Sequence, residues 1–235
     1  NKMRTQFFTA ILLCFGLTLM AQEYYWTSYN FNVDSEDIEI TTKLTDDYFS
    51  QPGSKADGVT VYLFENHFKD SENNWSHQLV FTGTLDAMGE QYSRVPNDSW
   101  NLYLAKMGQY LKQHSAGAGN SLISYGDIGV HPVQNVLWLD VNDAGKFAEA
   151  WKKYHGKFNP KDRRVTLGRY GLGRSSMGET HYVLTGVNDF KTAFSVNKYR
   201  EGNKEAEKAW EEFVNSISGE VTILRSNTRI MLGKW

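Results

Sequence analysis

The sequence predicts an α+β fold made of one kind of unit used twice. Three observations carry this. Residues 136–235 read as strand, helix, strand, strand, helix, strand. Residues 22–126 follow the same order, and short segments of the two stretches match. The expected architecture is two β-α-β-β-α-β units with antiparallel sheets packed face to face, joined by a linker at 127–135.

The second unit is the clearer. Val136-Leu137-Trp138-Leu139-Asp140-Val141 is short, apolar and β-branched at both ends, which suits a strand. Asn142 and Asp143 can cap a helix in which Phe147, Ala150, Trp151 and Tyr154 recur at helical spacing, with Gly156 placed to end it. Strands follow at 165–170 and 180–187, separated by Gly171, Gly173 and Gly178. Asn188 and Asp189 open a further helical region. Its main part carries the stripe Ala206, Ala209, Trp210, Phe213, Val214 and Ile217, and the last strand begins at Val221. This is the order of the ferredoxin-like plait, with both helices on one face of the sheet.

The first unit repeats it less cleanly. Residues 24–33, 59–64 and 77–85 read as strands, and a first helix carries Ile38, Leu44, Tyr48 and Phe49. A second helix starts at Pro96-Asn97-Asp98-Ser99, ends on Gly117-Ala118-Gly119-Asn120, and leaves a short strand at 121–125. Phe31-Asn32-Val33-Asp34 aligns with Leu139-Asp140-Val141-Asn142, and Val80-Phe81-Thr82-Gly83 with Val183-Leu184-Thr185-Gly186.

Ahead of these units, Lys2 and Arg4 precede an apolar run from Phe7 to Met20, followed by Ala21-Gln22. That is the build of a signal peptide spanning residues 1–21, and it predicts a periplasmic or secreted protein. The run is shorter than the roughly 20 residues a membrane span needs, so no span is expected in the mature chain. Cleavage lowers Lys+Arg from 25 to 23 against 27 acids, a net charge of −4. Nucleic-acid binding needs a basic surface and is not expected. Cleavage also removes Cys14, the sole cysteine, and with it any disulfide or thiolate chemistry.

Period-2 alternation sorts the sheet faces. It assigns Leu137, Leu139, Tyr182 and Leu184 to the helices. The opposite, ligand-facing set is then Trp138, Asp140, His181, Val183 and Thr185, matched in the first unit by Asn30, Asn32, Gln78, Val80 and Thr82. The tandem pattern resembles the dimeric α+β barrel superfamily, whose members pack two ferredoxin-like sheets together. The resemblance covers most of the mature chain and rests on element order and the internal repeat. It implies a range of activities: cofactor-independent monooxygenases, haem-degrading enzymes, dye-decolourising peroxidases and chlorite dismutase relatives. None of their catalytic residue sets aligns with this chain, so the fold carries no function across.

Among the six histidines none forms a close metal-binding pair. His114 and His155 fall near predicted helix ends, where an imidazolium suits the helix dipole, and His131 precedes Pro132 in the linker. His181, sharing a face with Trp138 and Asp140, is the one placed to act as a base or axial ligand. A polar interface histidine is the structural alternative. The glycine-rich stretch 168–176 brings Arg169 and Arg174 to what could be an anion-binding lid, or simply a strand connection. It opens no helix and matches neither a dinucleotide nor a P-loop pattern.

The ligand-binding residues expected are therefore Trp138, Asp140, His181, Thr185, Arg169, Arg174, Asn30, Asn32 and Gln78. The first functional expectation is non-catalytic binding of a small, partly apolar ligand or of a protein partner. The alternative is a monooxygenase-like enzyme, cofactor-independent or using haem.

Overall fold

The computed structural model describes residues 23–127, 131–174 and 177–235. The expected signal segment and its cleavage point lie outside the described residues. The chain forms one closed antiparallel barrel of eight strands with six α-helices on its outside, among the described residues. The strands are β1 (Tyr25–Asn32), β2 (Thr60–Lys69), β3 (His77–Gly83), β4 (Lys112–Gly126), β5 (Val133–Val141), β6 (Arg164–Leu172), β7 (His181–Val187) and β8 (Val221–Lys234). The helices are α1 (Ile38–Phe49), α2 (Leu85–Ser93), α3 (Asp98–Met107), α4 (Ala144–Phe158), α5 (Phe190–Phe194) and α6 (Lys204–Ile217).

Around the barrel the order is β1-β3-β2-β8-β5-β7-β6-β4. Two four-stranded arcs, β4-β1-β3-β2 and β8-β5-β7-β6, therefore meet edge to edge. The β2–β8 seam runs from Tyr62 opposite Lys234 to Lys69 opposite Asn227. The β4–β6 seam runs from Ala118 opposite Leu172 to Gly126 opposite Arg164. The expected face-to-face packing is thus realised as closure, with each arc's edges satisfied by the other's.

Local chemistry places the helices. Asn97, Asp143, Asp189 and Asn203 each accept a backbone N–H in the first turn of α3, α4, α5 and α6. The apolar stripes then dock on the outer face of the sheet. In the first arc Tyr48, Phe49 and Tyr103 pack on Phe31, Val61 and Phe81. In the second, Phe147, Trp151, Tyr154 and Phe213 pack on Leu139, Val165 and Leu167. Each large apolar side chain buried this way contributes about 1.5–3 kcal/mol, so these two outer cores hold the helices on.

Two expectations are corrected and one helix is added. Gly117-Ala118-Gly119-Asn120 does not end a helix but lies inside β4. A Cβ on Gly119 would collide with the Arg169 carbonyl of β6 and the Trp26 indole of β1, so glycine here lets both neighbours close in. Helix α2 was not foreseen, because it buries only Ala87 and Met88 and shows little apolar periodicity. The linker expected at 127–135 is shorter, since β5 already begins at Val133, and residues 128–130 lie outside the described residues. The internal match is in phase at β1 and β5, where Phe31, Val33, Leu139 and Val141 all face helices. It is out of phase at β3 and β7, because Val80 points into the barrel and Val183 towards the helices.

The outer cores hold two neutral histidines. Burial lowers the pKa of His77, stacked on Phe31, to about 4. Burial, then Arg163 and Arg200, lowers that of His155, whose ring lies 4.0 Å from Trp151, to about 3. Both pKa values lie below the unfolded one of about 6.5, so the unfolded chain binds more protons in acid. Stability is then full above about pH 6.5 and falls as pH drops towards these folded-state values. Urea titrations should show a loss of about 2 kcal/mol or more per histidine between roughly pH 7.5 and pH 4.5. His155→Phe, which suits that aromatic nest, should flatten part of this acid limb.

Candidate functional site: the barrel cavity

Every second residue of each strand points into the barrel. Trp26 and Ser28 of β1, Gln78 and Val80 of β3, and Val136 and Trp138 of β5 line an internal cavity of about 460 Å³. Tyr62 and Phe64 enter from β2, Tyr170 from β6 and Tyr182 from β7, so the walls are largely aromatic. The Trp26 ring meets Tyr170 and Tyr182 edge-on, at centroid distances of 4.9 and 5.4 Å. Trp138 Nε1 donates to the Tyr170 hydroxyl, and the Tyr182 hydroxyl lies 3.2 Å from Ser121 Oγ. Burial raises the pKa of both phenols, so they stay protonated at neutral pH.

A polar strip crosses this apolar wall. Gln78 Nε2 donates to Asn30 Oδ1 at 2.8 Å. Arg229 Nη1 donates to Gln78 Oε1 at 2.8 Å, and its Nε and Nη2 donate to Gln134 Oε1 at 3.0 and 2.7 Å. Gln134 Nε2 in turn donates to the His131 carbonyl at 3.2 Å. The His131 ring is buried, and its Nε2 lies 3.1 Å from the Asp127 carbonyl oxygen. A carbonyl only accepts, so Nε2 carries a proton, and in the neutral imidazole the lone pair is on Nδ1. Nδ1 has no hydrogen-bond partner among the described residues. Burial lowers the pKa of Arg229 to about 10, which leaves it charged at pH 7.

The structure sorts the residues singled out by sequence. Trp138 and Gln78 line the cavity as expected, and Asn30 joins them through Gln78. Asn32 instead accepts the Ser76 backbone N–H at 2.9 Å near the start of β3. The face assignment of β7 is corrected. Trp138 is in register with Tyr182 and Leu139 with His181, so Tyr182 and Leu184 point inward. His181 and Thr185 stand on the outer side with Val183. Asp140 is exposed beyond the cavity. The chemical pattern of β7 is mixed on both faces, so its phase is set by register with β5 rather than by hydropathy.

Arg169 and Arg174 also lie outside. Arg169 is in β6 and donates to Asn120 Oδ1 at 2.8 Å, so the presumed lid is strand up to Leu172. Ser175 and Ser176 lie outside the described residues. Burial, then Arg169 and Arg174, lowers the His181 pKa against the opposing pull of Asp140. The imidazole Nδ1 lies 3.0 Å from Thr180 Oγ1 and is not held by the Asp140 carboxylate. From the outer face His181 cannot serve as the expected axial ligand of a haem within the barrel. Among the described residues no group of three or more His, Cys, Asp or Glu side chains is placed to hold a metal ion.

Sequence reading missed Arg229, Gln134, His131 and the inward tyrosines. The signal for Arg229 was present: Arg225, Asn227 and Arg229 alternate with Ser226, Thr228 and Ile230 along the last strand.

Removing the Tyr170 hydroxyl tests the wall. Tyr170→Phe leaves Trp138 Nε1 buried without its acceptor and should cost about 1–3 kcal/mol in urea unfolding, with the far-UV spectrum unchanged.

No family model matches the chain, and no curated protein matches it in sequence. Solved structures do match in shape. A putative monooxygenase from Lactobacillus acidophilus is 9% identical, with a TM-score of 0.62 over 90% of this chain and 95% of that one. A putative monooxygenase from Fusobacterium nucleatum is 15% identical, with a TM-score of 0.59 over 92% and 95%. An anthrone oxidase-like protein is 13% identical, with a TM-score of 0.56 over 91% and 93%. Likeness at these identities concerns the fold alone: this chain shares the α+β barrel fold of these proteins and resembles the dimeric α+β barrel superfamily, with the barrel closed within a single polypeptide.

Proposed function

We propose that this protein binds a small, partly apolar aromatic molecule inside its barrel. The observation that carries this is the cavity itself: aromatic walls crossed by one polar strip, in the size range of small-molecule sites. Native mass spectrometry of the purified protein, compared with its denatured mass, checks for a carried ligand. Trp26 and Trp138 also provide a direct reporter. Titration with the neutral probe 1-naphthamide should quench tryptophan fluorescence saturably. Ser28→Phe, which fills the cavity from β1, should weaken binding by about tenfold or more while the far-UV spectrum is kept. Unsaturable quenching in the parent protein would sink the proposal.

A second reading, cofactor-independent oxygenation, is favoured by His131. His131 is the histidine that lines the cavity among the described residues, and its Nδ1 is buried without a hydrogen-bond partner there. Proton removal from an activated ring carbon by Nδ1 would leave a carbanion able to reduce O2. With an anthrone as substrate the balance is anthrone plus O2 giving anthraquinone plus water. The anthrone oxidase-like structural neighbour motivates this choice of substrate. Oxygen uptake with anthrone should then be measurable, and His131→Gln should lower it by about a hundredfold or more. Uptake unchanged by that substitution would remove His131 from the mechanism.

The chain is further read as exported through residues 1–21, then as two ferredoxin-like units joined by a linker that ends where β5 begins at Val133. Two arcs of equivalent strand order support the tandem reading. N-terminal sequencing of exported protein, expected to start at Gln22, checks the first part.

A further inference from the structure

We infer that the ligand of this cavity is an aromatic carboxylate, with Arg229 receiving its charge. The inference rests on the cavity being a ligand site, as proposed above, and adds the chemical class of the ligand.

Strand β8 places two arginines inside the barrel and treats them differently. Arg225 pairs with the buried Glu179 at 2.7 Å and lies over the Trp138 ring at 4.8 Å. That is a buried cation neutralised by the protein itself. Arg229, only 9% exposed, has no carboxylate partner among the described residues. Its hydrogen bonds run to the neutral carbonyls of Gln78 and Gln134, and its guanidinium lies 4.0 Å from the Phe64 ring centroid. Among the described residues lining the cavity there is no Asp or Glu, whereas Arg164 adds a second positive charge.

A buried charge without a counter-charge is costly. The two glutamine carbonyls orient the guanidinium but bring no negative charge. They use three of its N–H groups, at Nε, Nη2 and Nη1. A guanidinium has five N–H groups, so two remain, one on each terminal nitrogen. A carboxylate is the planar anion that such a pair of donors suits best. The surrounding rings of Trp26, Tyr62 and Tyr170 supply flat apolar surface for the rest of the molecule. The ligand that satisfies both is an aromatic ring system bearing a carboxylate.

The test is calorimetric titration of the whole purified protein with 1-naphthoate and with its neutral isostere 1-naphthamide, at neutral pH. The parent protein should bind the carboxylate about tenfold or more tighter than the amide, since charge-assisted hydrogen bonds are the stronger kind. Arg229→Gln should remove that preference, bringing the carboxylate and amide affinities to within about threefold of each other. Equal binding of the two probes by the parent protein overturns the carboxylate inference and leaves the cavity reading standing. Binding of neither overturns both. A folded Arg229→Gln protein that keeps the preference overturns the assignment to Arg229. If that variant does not fold, the carboxylate-to-amide ratio of the parent still decides the ligand class, and Arg229→Lys, which keeps the charge but not the paired donors, decides the residue: a retained full preference would overturn it.

Discussion

Unpaired strand edges are the constraint on which this molecule depends. A four-stranded arc has two edges of backbone N–H and C=O groups, and a sheet edge left open invites pairing with other chains. Here the edges satisfy one another: β2 takes β8, and β4 takes β6. Closure then fixes everything else. Side chains on the outer face have helices to meet, and those on the inner face have only each other. An eight-stranded barrel is about the width that side chains fill or that admits one small ligand. The glycine at 119 belongs to this closure, because β1 and β6 both crowd the backbone of β4 at that point.

The division between faces is also a division of chemistry. The outer cores are built from Phe, Tyr and Trp stripes and carry the packing energy. The lumen combines aromatic rings with Gln, Asn, Ser and Arg side chains, most of them hydrogen-bonded to each other. Such a network is an expensive way to fill a barrel if filling were its only task, since apolar side chains do so without desolvating polar groups. Arg225 has Glu179, whereas Arg229 has no carboxylate partner among the described residues, and that contrast places the uncompensated charge next to the cavity.

Much of the architecture was legible in the sequence. The apolar run of β5 and the heptad-like spacing in α4 and α6 are strong local signals, and the strand-helix order gave the arcs. Trp138 and Gln78 were placed on the cavity face because period-2 counting along β5 and β3 puts them opposite Leu139 and Phe81, which meet the helices. The β7 strand was not legible, because His181, Val183 and Thr185 against Tyr182 and Leu184 offers two mixed faces. Only the pairing of Leu139 with His181 settles which is which. The polar strip was hidden for a related reason. Its members come from β1, β3, β5, β8 and the segment before β5, so no window of sequence contains it. His131 looked like a linker residue, and its role as a cavity wall arises from the fold around Gly186, whose missing side chain makes room for the imidazole.

The β2–β8 seam also dictates when the molecule can finish folding. Its two strands lie far apart in the chain, with 161 positions between the paired Asn66 and Asn227, and contacts between distant segments form slowly. During synthesis the first arc can assemble once β4 has emerged, yet its β2 edge has no partner until the final strand is made. For that interval the nascent protein carries an open β edge, of the kind that leads to intermolecular pairing. The last strand is therefore the latch of the fold in time as well as in space.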